Sequence, residues 1–242
     1  MNFSIFLHPD EINGVEYLWE MFQQEIPPAS ILVSSFDKTV EKSRSISNQR
    51  VIRSYQPRKF SELIRDKDIP CIDVDSINCP ITIGLIKQME IDVVVYGAGE
   101  IVSRRSLESP NLGFVNCHPS DISKYRGCTN VEWAIHEDYP IYLSCHYMTD
   151  ILDSGPLVLQ KKFPYEENMS YEQVRTEIIY QQAKTMVAGV KRILDNQDMI
   201  FVTPPMGEYR QVIKGDKFET VKAKLVNCTY SPTRNESECV KE

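Results

Sequence analysis

Positive charge is in short supply in this chain. Its 27 lysines and arginines stand against 34 aspartates and glutamates, a formal net charge of −7 over 242 residues. No long basic block interrupts that balance. A protein whose main partner is a phosphate backbone carries a basic face, so no nucleic-acid partner is expected. Long apolar runs are also missing. None approaches the roughly 18 residues a membrane span needs, so no membrane partner is expected. The opening MNFSIFLHPDEINGVEY has neither a basic start nor a long apolar centre. The expectation is a cytoplasmic protein in a reducing compartment. The seven cysteines, at 71, 79, 117, 128, 145, 228 and 239, form no CxxC pair. Cys117 and Cys145 each precede a histidine, which raises a thiol nucleophile or a metal site. Without metal-ligand spacing they read better as small buried hydrophobes, and no metal is expected.

What is present is an ordinary globular composition, 42% hydrophobic and 25% charged. The length suits one large α/β domain, or one domain with a small appendage. Phe3–Leu7 reads as a first strand. Val15, Leu18, Trp19 and Phe22 then fall on one helical stripe. Ile31–Ser34 is a second strand, and the polar, poorly periodic Asp37–Gln56 a long loop. Phe60–Arg65 reads as a short helix, Cys71–Val74 as a brief strand, and Pro80 opens a helix over Ile81–Met89.

Ile91–Tyr96 (IDVVVY) is the clearest strand, apolar and β-branched as in a sheet covered on both faces. Leu112–Asn116, Ile141–Met148 and Leu157–Phe163 read as further strands, with Val131–His136 a helix among them. Ser170 and Gln173 form a capping box opening a helix to about Asp195, along Val174, Ile178, Ala183, Val187, Val190 and Leu194. Strand–helix alternation to about residue 140 argues for a mainly parallel, Rossmann-like sheet. Residues 1–200 are expected to form the catalytic domain. Residues 201–242 are expected to form a β appendage, a hairpin of Tyr209–Ile213 and Phe218–Val221, and a polar tail from about Val226.

The stretch Gly113–Gln160 carries the chemistry. It contains Asn116-x-His118-Pro119-Ser120, then Tyr125-Arg126-Gly127, then His146 after a strand-like run, then Asp153-Ser-Gly155-Pro156. Asn116 and His118, two apart at the carboxyl end of a strand, project to the same side if extended. Open α/β sheets bind ligands at that end. An amide, an imidazole and a carboxylate there can stabilise an oxyanion and move a proton. Taken singly, Asn116 reads as a turn cap, Asp153 as an Asx-turn and His146 as a satisfied core histidine.

In combination these motifs resemble the folate-dependent formyltransferase family. Glycinamide ribonucleotide transformylase, methionyl-tRNA formyltransferase and the nucleotide-sugar N-formyltransferases belong to it. Each motif alone is weak; all four in order, over about residues 91–165, are specific. The resemblance implies Asn116, His118 and Asp153 as the catalytic trio and 10-formyltetrahydrofolate as the formyl donor. It places the pterin against Gly97, Gly99, Glu100, Ile101 and Val102 and against Asp150, Ile151 and Leu152. Asn116 and a protonated or donating His118 would stabilise the oxygen. Asp153 would support His118 and help move a proton from the amine to the folate nitrogen, and His146 would orient its neighbours. Homodimers are common in the family.

The acceptor follows from departures. Glycinamide ribonucleotide members carry a Gly/Ser-rich turn after the first strand to cradle a phosphate. This chain has LHPDEING there, with one glycine and two carboxylates, so the anion-binding helix start is missing. The tRNA members carry Gly where Pro119 stands and a substantial C-terminal RNA-contacting domain. About forty residues follow the long helix in this sequence. The remaining branch formylates a nucleotide-linked amino sugar, such as a dTDP-4-amino- or dTDP-3-amino-dideoxyhexose destined for a surface polysaccharide. Lys124, Tyr125 or Arg126 would then face the pyrophosphate, and Tyr209 would stack on the base. A formyltetrahydrofolate hydrolase would reuse the trio with water but bring a further N-terminal domain. A non-catalytic folate binder would lose the trio.

Overall fold

The computed structural model describes residues 1–36, 55–195 and 200–232. Its strands are β1 (Phe3–Leu7), β2 (Ser30–Ser34), β3 (Cys71–Val74), β4 (Val93–Gly97) and β5 (Gly113–His118), then β6 (Tyr125–Gly127), β7 (Tyr142–Tyr147), β8 (Leu157–Lys162) and β9 (Glu208–Arg210). Its helices are α1 (Ile12–Gln23), α2 (Phe60–Ile64), α3 (Pro80–Gln88), α4 (Arg104–Leu107), α5 (Asn130–His136), α6 (Tyr171–Asp195) and α7 (Asp216–Val226). The loop expected over Asp37–Gln56 lies, but for its last two residues, outside the described residues, as does the end of the expected tail.

Seven strands form one sheet in the order β3-β2-β1-β4-β5-β7-β8. The first five pair in parallel, while β7 and β8 run antiparallel. The reason is visible in the strand sequences. β1, β2 and β4 are buried at every position, as apolar strands covered on both faces must be. α1 and α6 pack together over one face, on Ile5, Leu7, Val95 and Val115. Ile86 of α3 covers the other, with Phe6, Leu32, Val94 and Phe114. α1 lies unusually close to β4. A Cβ on Gly97 would stand 2.4 Å from the Gly14 Cα, so neither position admits a side chain.

The capping box of α6 forms as its sequence dictates. Ser170 Oγ accepts from the Gln173 N–H at 3.2 Å, and Gln173 Oε1 accepts from the Ser170 N–H at 2.8 Å. No helix among the described residues is long and apolar enough to cross a membrane.

The expected C-terminal hairpin does not form. Residues Glu208–Arg210 are a strand, but it pairs in parallel with β6. Phe218–Val221 belongs to α7, whose buried Val221 and Leu225 follow Phe218 at helical spacing. Phe218 and Val221 are three apart, a helix interval and not the two-residue alternation of a strand. α7 docks on α5, where Lys224 Nζ reaches the carbonyls of Ile135 (3.2 Å) and His136 (2.8 Å) and so closes that helix's carboxyl end. The boundary near Val226 also shifts. Tyr230 is buried, donates from its hydroxyl to the Tyr139 carbonyl at 2.8 Å, and stacks edge-on against Tyr165.

Candidate active site

β5 alternates, and its alternation sorts the side chains by chemistry. Asn116 and His118 share one face, where the antiparallel register sets His146 opposite Asn116 and Ser144 opposite His118. Cys117 and Cys145 are register partners on the other face, buried under α6. Burial pushes both thiols up, Cys145 to about 12. The cysteines thus point away from the imidazoles, and a thiol nucleophile is not part of this constellation.

The turn beyond β5 is tied down in layers. Ser120 Oγ donates to the Tyr125 carbonyl at 2.9 Å, and Ser144 Oγ to the Ser120 carbonyl at 2.6 Å. Asp121 accepts from Tyr139 (2.7 Å) and Gln160 (3.3 Å). The loop after β7 then brings in the carboxylate. Asp153 sits at φ +49, left-handed, which aspartate tolerates better than most residues. Gly155 has φ +129, and a Cβ there would meet the Tyr147 carbonyl at 2.3 Å.

Asp153 Oδ1 stands 3.3 Å from His118 Nδ1, both side chains less than a fifth exposed. Its Oδ2 accepts from the Gly127 N–H at 2.8 Å. Asn130, at the start of α5, donates from Nδ2 to His118 Nε2 (2.9 Å) and to the Gly127 carbonyl (3.3 Å). Three hydrogen bonds and the His118–Asp153 contact join the four groups into a ring. With a donor at Nε2, the proton of a neutral His118 belongs on Nδ1, facing Asp153. Asn130 carries no distinguishing signal in the sequence. It precedes an apolar helical run, where an asparagine is an ordinary cap, and that disguises it.

Beside the ring opens a cleft of about 110 Å³ that widens to solvent at its mouth. Glu100, Ile101, Val102, Asp150, Ile151 and Leu152 line it, as do Asn116, His146 and Asp153. Gly97 and Gly99, grouped with them in the sequence, are not in its wall: Gly97 is committed to the contact with Gly14. Tyr96, Met148 and Thr149 complete the lining, unforeseen because nothing distinguishes them from core or loop residues. His146 donates from Nδ1 to the Tyr147 carbonyl at 2.9 Å, and its Nε2 is buried without a partner. Burial holds this imidazole below the ordinary histidine range, so it faces the cleft as a neutral acceptor. Glu100 is fastened by Ser34 Oγ (3.2 Å), by Ser76 and by the Ile77 N–H (3.4 Å). Glu11, at the entrance to α1, is raised to about 7 by burial and by the Glu100 charge.

The formyl transferase family profile matches residues 18–190. The chain belongs to the formyl transferase family. Among curated proteins it is similar to a methionyl-tRNA formyltransferase of Rhodopirellula baltica, 28% identical over 76% of this chain and 55% of that one. The chain spans about half the length of the curated relatives it matches first. Among solved structures it resembles glycinamide ribonucleotide transformylase 1 of Symbiobacterium toebii, with TM-score 0.61 and 13% identity over 87% of this chain and 94% of that one. It also resembles an N-formyltransferase of Helicobacter canadensis in complex with folinic acid and dTDP-3-aminofucose. There the TM-score is 0.60 and the identity 12%, over 97% of this chain and 85% of that one. At such identities the likeness is one of fold.

On this formyl transferase fold the four residues assigned to the acceptor separate. Tyr125 is 1% exposed, with its hydroxyl donating to Glu137 at 2.6 Å, which removes it from direct contact with a substrate. Arg126 bridges two segments, donating to the carbonyls of Gly207 (2.8 Å) and Leu152 (2.9 Å). Lys124 is exposed and lies over Tyr139 at 4.0 Å. Tyr209 is 49% exposed, and the β6–β9 pairing sets it directly beside Arg126. Arg126 and Tyr209 therefore meet at the rim, through a pairing that sequence spacing could not reveal.

Proposed function

We propose that this protein transfers a formyl group from 10-formyltetrahydrofolate to the amine of a nucleotide-linked amino-dideoxyhexose. The observation that carries the reaction is the ring of Asn130, His118, Asp153 and Gly127 standing beside Asn116 at the mouth of the cleft. The amine nitrogen bonds to the formyl carbon, the carbon–N10 bond of the folate breaks, and the amine proton passes to N10. Asn116 supplies an amide donor for the oxygen as it gains charge. His118 presents Nε2, once its bond to Asn130 opens, as the acceptor for the amine proton. Asp153 stabilises the imidazolium so formed. The His118 role is thus shifted from oxyanion donor toward base. The cleft suits a pterin: Ile101, Val102, Met148, Ile151 and Leu152 offer apolar walls, and the unpartnered His146 Nε2 awaits an N–H donor.

The sugar acceptor is supported by the entrance to α1. Asp10 and Glu11 precede that helix, and Glu11 takes its N-cap position without a side-chain cap bond. Asp10 and the partly ionised Glu11 at a helix start oppose a phosphate there, which counts against glycinamide ribonucleotide. The exposed Tyr209 beside Arg126 offers a base a stacking face. A second reading, formylation of methionyl-tRNA, is favoured by the names of the curated relatives. The net charge of −7 counts against it.

The deciding experiment follows tetrahydrofolate release from 10-formyltetrahydrofolate with dTDP- and UDP-amino sugars, glycinamide ribonucleotide, methionyl-tRNA, or no amine. Release with a dTDP-amino sugar alone is expected. Release without amine would make the protein a hydrolase. Efficient use of methionyl-tRNA or glycinamide ribonucleotide, with sugars inert, would overturn the acceptor.

A further inference from the structure

One member of the ring around His118 neither bonds to a reacting atom nor moves a proton in the reaction as written above. Asn130 is 3% exposed, and both hydrogens of its amide nitrogen are engaged, one by His118 Nε2 and one by the Gly127 carbonyl. Its Oδ1 is buried with no hydrogen-bond partner. Reversing the amide would turn that oxygen toward the Gly127 carbonyl, two acceptors face to face, so the carbonyl fixes which end of the amide His118 meets. Gly127 is in turn held by the Asp153 carboxylate through its N–H. The orientation of Asn130 is thus set by backbone, not by the imidazole it addresses.

We propose that Asn130 is a positioning residue for His118. Its backbone-oriented amide donor keeps Nε2 unprotonated and directs the ring proton to Asp153. The proposal rests on the formyl-transfer reading for its meaning, though not for its test. The groups facing His118 are Asp153 from the loop after β7, His146 from β7 and Asn130 from α5. Asp153 offers Nδ1 an acceptor. A proton on Nε2 would confront the Asn130 N–H, so Asn130 opposes it from the far side of the ring. Between them they fix which ring nitrogen carries the proton of the neutral form. The Gly127 peptide belongs to β6, which pairs with β9. Asn130 therefore also links the rim strand that carries Tyr209 to the imidazole.

The test reads protonation directly. With four histidines in the chain, 15N-histidine labelling yields a sparse spectrum, in which His118→Asn identifies the His118 signals. At neutral pH the ligand-free protein should show His118 protonated on Nδ1 and unprotonated on Nε2. Asn130→Asp offers Nε2 an acceptor in place of a donor and should make His118 doubly protonated at the same pH. Asn130→Ala should leave an intermediate population. Its kcat should fall about tenfold while the KM for the folate changes less than about threefold, as expected when the base is partly mis-set and not the binding site. A merely structural role would lower stability and leave the 15N pattern alone. A proton on Nε2 in the unsubstituted protein, or the same His118 pattern in all three proteins, would overturn the proposal. Failure of every amine in the turnover assay would sink the functional reading while leaving the 15N result to stand or fall by itself.

Discussion

The parallel and antiparallel halves of the sheet solve opposite problems. In the parallel half, β1, β2 and β4 are buried throughout, and their strand polarity is limited to serines and Tyr96. Ser4 and Ser30 satisfy each other at 2.7 Å. In the antiparallel half, β5, β7 and β8 carry Asn116, His118, Ser144, His146 and Gln160. His118 is held by Asn130 and Asp153, Ser144 by the Ser120 carbonyl, and Gln160 by Ser144 and Asp121. An apolar strand needs only cover, whereas a polar one needs a partner in a defined place. The chemistry collects where antiparallel pairing and the loop around Asp153 can supply such partners. The parallel half supplies the rigid floor.

The largest test of that division is to damage the chemistry alone. His118→Asn, and Asp153→Asn, which tolerates the left-handed backbone, should lower turnover on the order of a hundredfold or more. Melting temperature and binding of a folate analogue should barely move. Near-normal turnover in either variant would remove these residues from the reaction.

The converse damages the floor. Gly97→Ala drives a methyl to 2.4 Å from the Gly14 Cα, and the helix and strand must separate. Overpacking of this kind costs about 1–3 kcal/mol or more, and urea denaturation should show it. The folded fraction should retain its kcat. A loss below about 0.5 kcal/mol would mean that α1 and β4 adjust freely.

Tyr230 tests how far the core reaches. Tyr230→Ala should cost about 3 kcal/mol by the usual measure of a buried aromatic. Truncation after Val226, which removes it, should do at least as much harm. If that truncation leaves the melting temperature unchanged, the polar segment begins where its composition alone would place it.

The smallest effects separate the halves by pH. Glu11, beside the parallel half, is raised from 4.5 to about 7 in the fold. Between those values the unfolded chain loses the proton first, so stability falls as pH rises through that window. Glu11→Gln should abolish that slope and stabilise the protein at pH 8 by on the order of 2 kcal/mol, with little effect near pH 4. His146, in the antiparallel half, is depressed by burial. The unfolded chain therefore takes the proton first, and stability falls as pH drops below the ordinary histidine value. His146→Gln should flatten that acid side. Melting curves across pH that show either slope with the opposite sign would contradict these burial arguments.

Much of the fold was legible in the residues. IDVVVY could only be a doubly covered strand, and Ser170 with Gln173 announced the long helix. Asn116-x-His118 placed an amide and an imidazole on one face, because strand alternation is a local rule. The departures from expectation have both local and remote causes. Phe218 and Val221 were given a strand period although their spacing suits a helix, and the helix is secured by Lys224 reaching α5. Tyr125 looked like a substrate residue until its hydroxyl was found closed on Glu137. Gly97 and Gly99 looked like part of the cleft, but Gly97 is occupied by α1.

The sequence by itself determined the strand–helix alternation, the two covered faces and the order of the chemical motifs. These depend on periodicity and on residue type within a few positions. Tertiary structure alone decided that Asn130 caps His118, that Gly127 ties both to Asp153, and that β9 carries Tyr209 to Arg126. The last two join segments distant in the chain, and the first depends on how the turn after β5 is folded. Direction and distance, not composition, set such a contact, because a hydrogen bond forms only where both partners are delivered to within about 3 Å and correctly aimed.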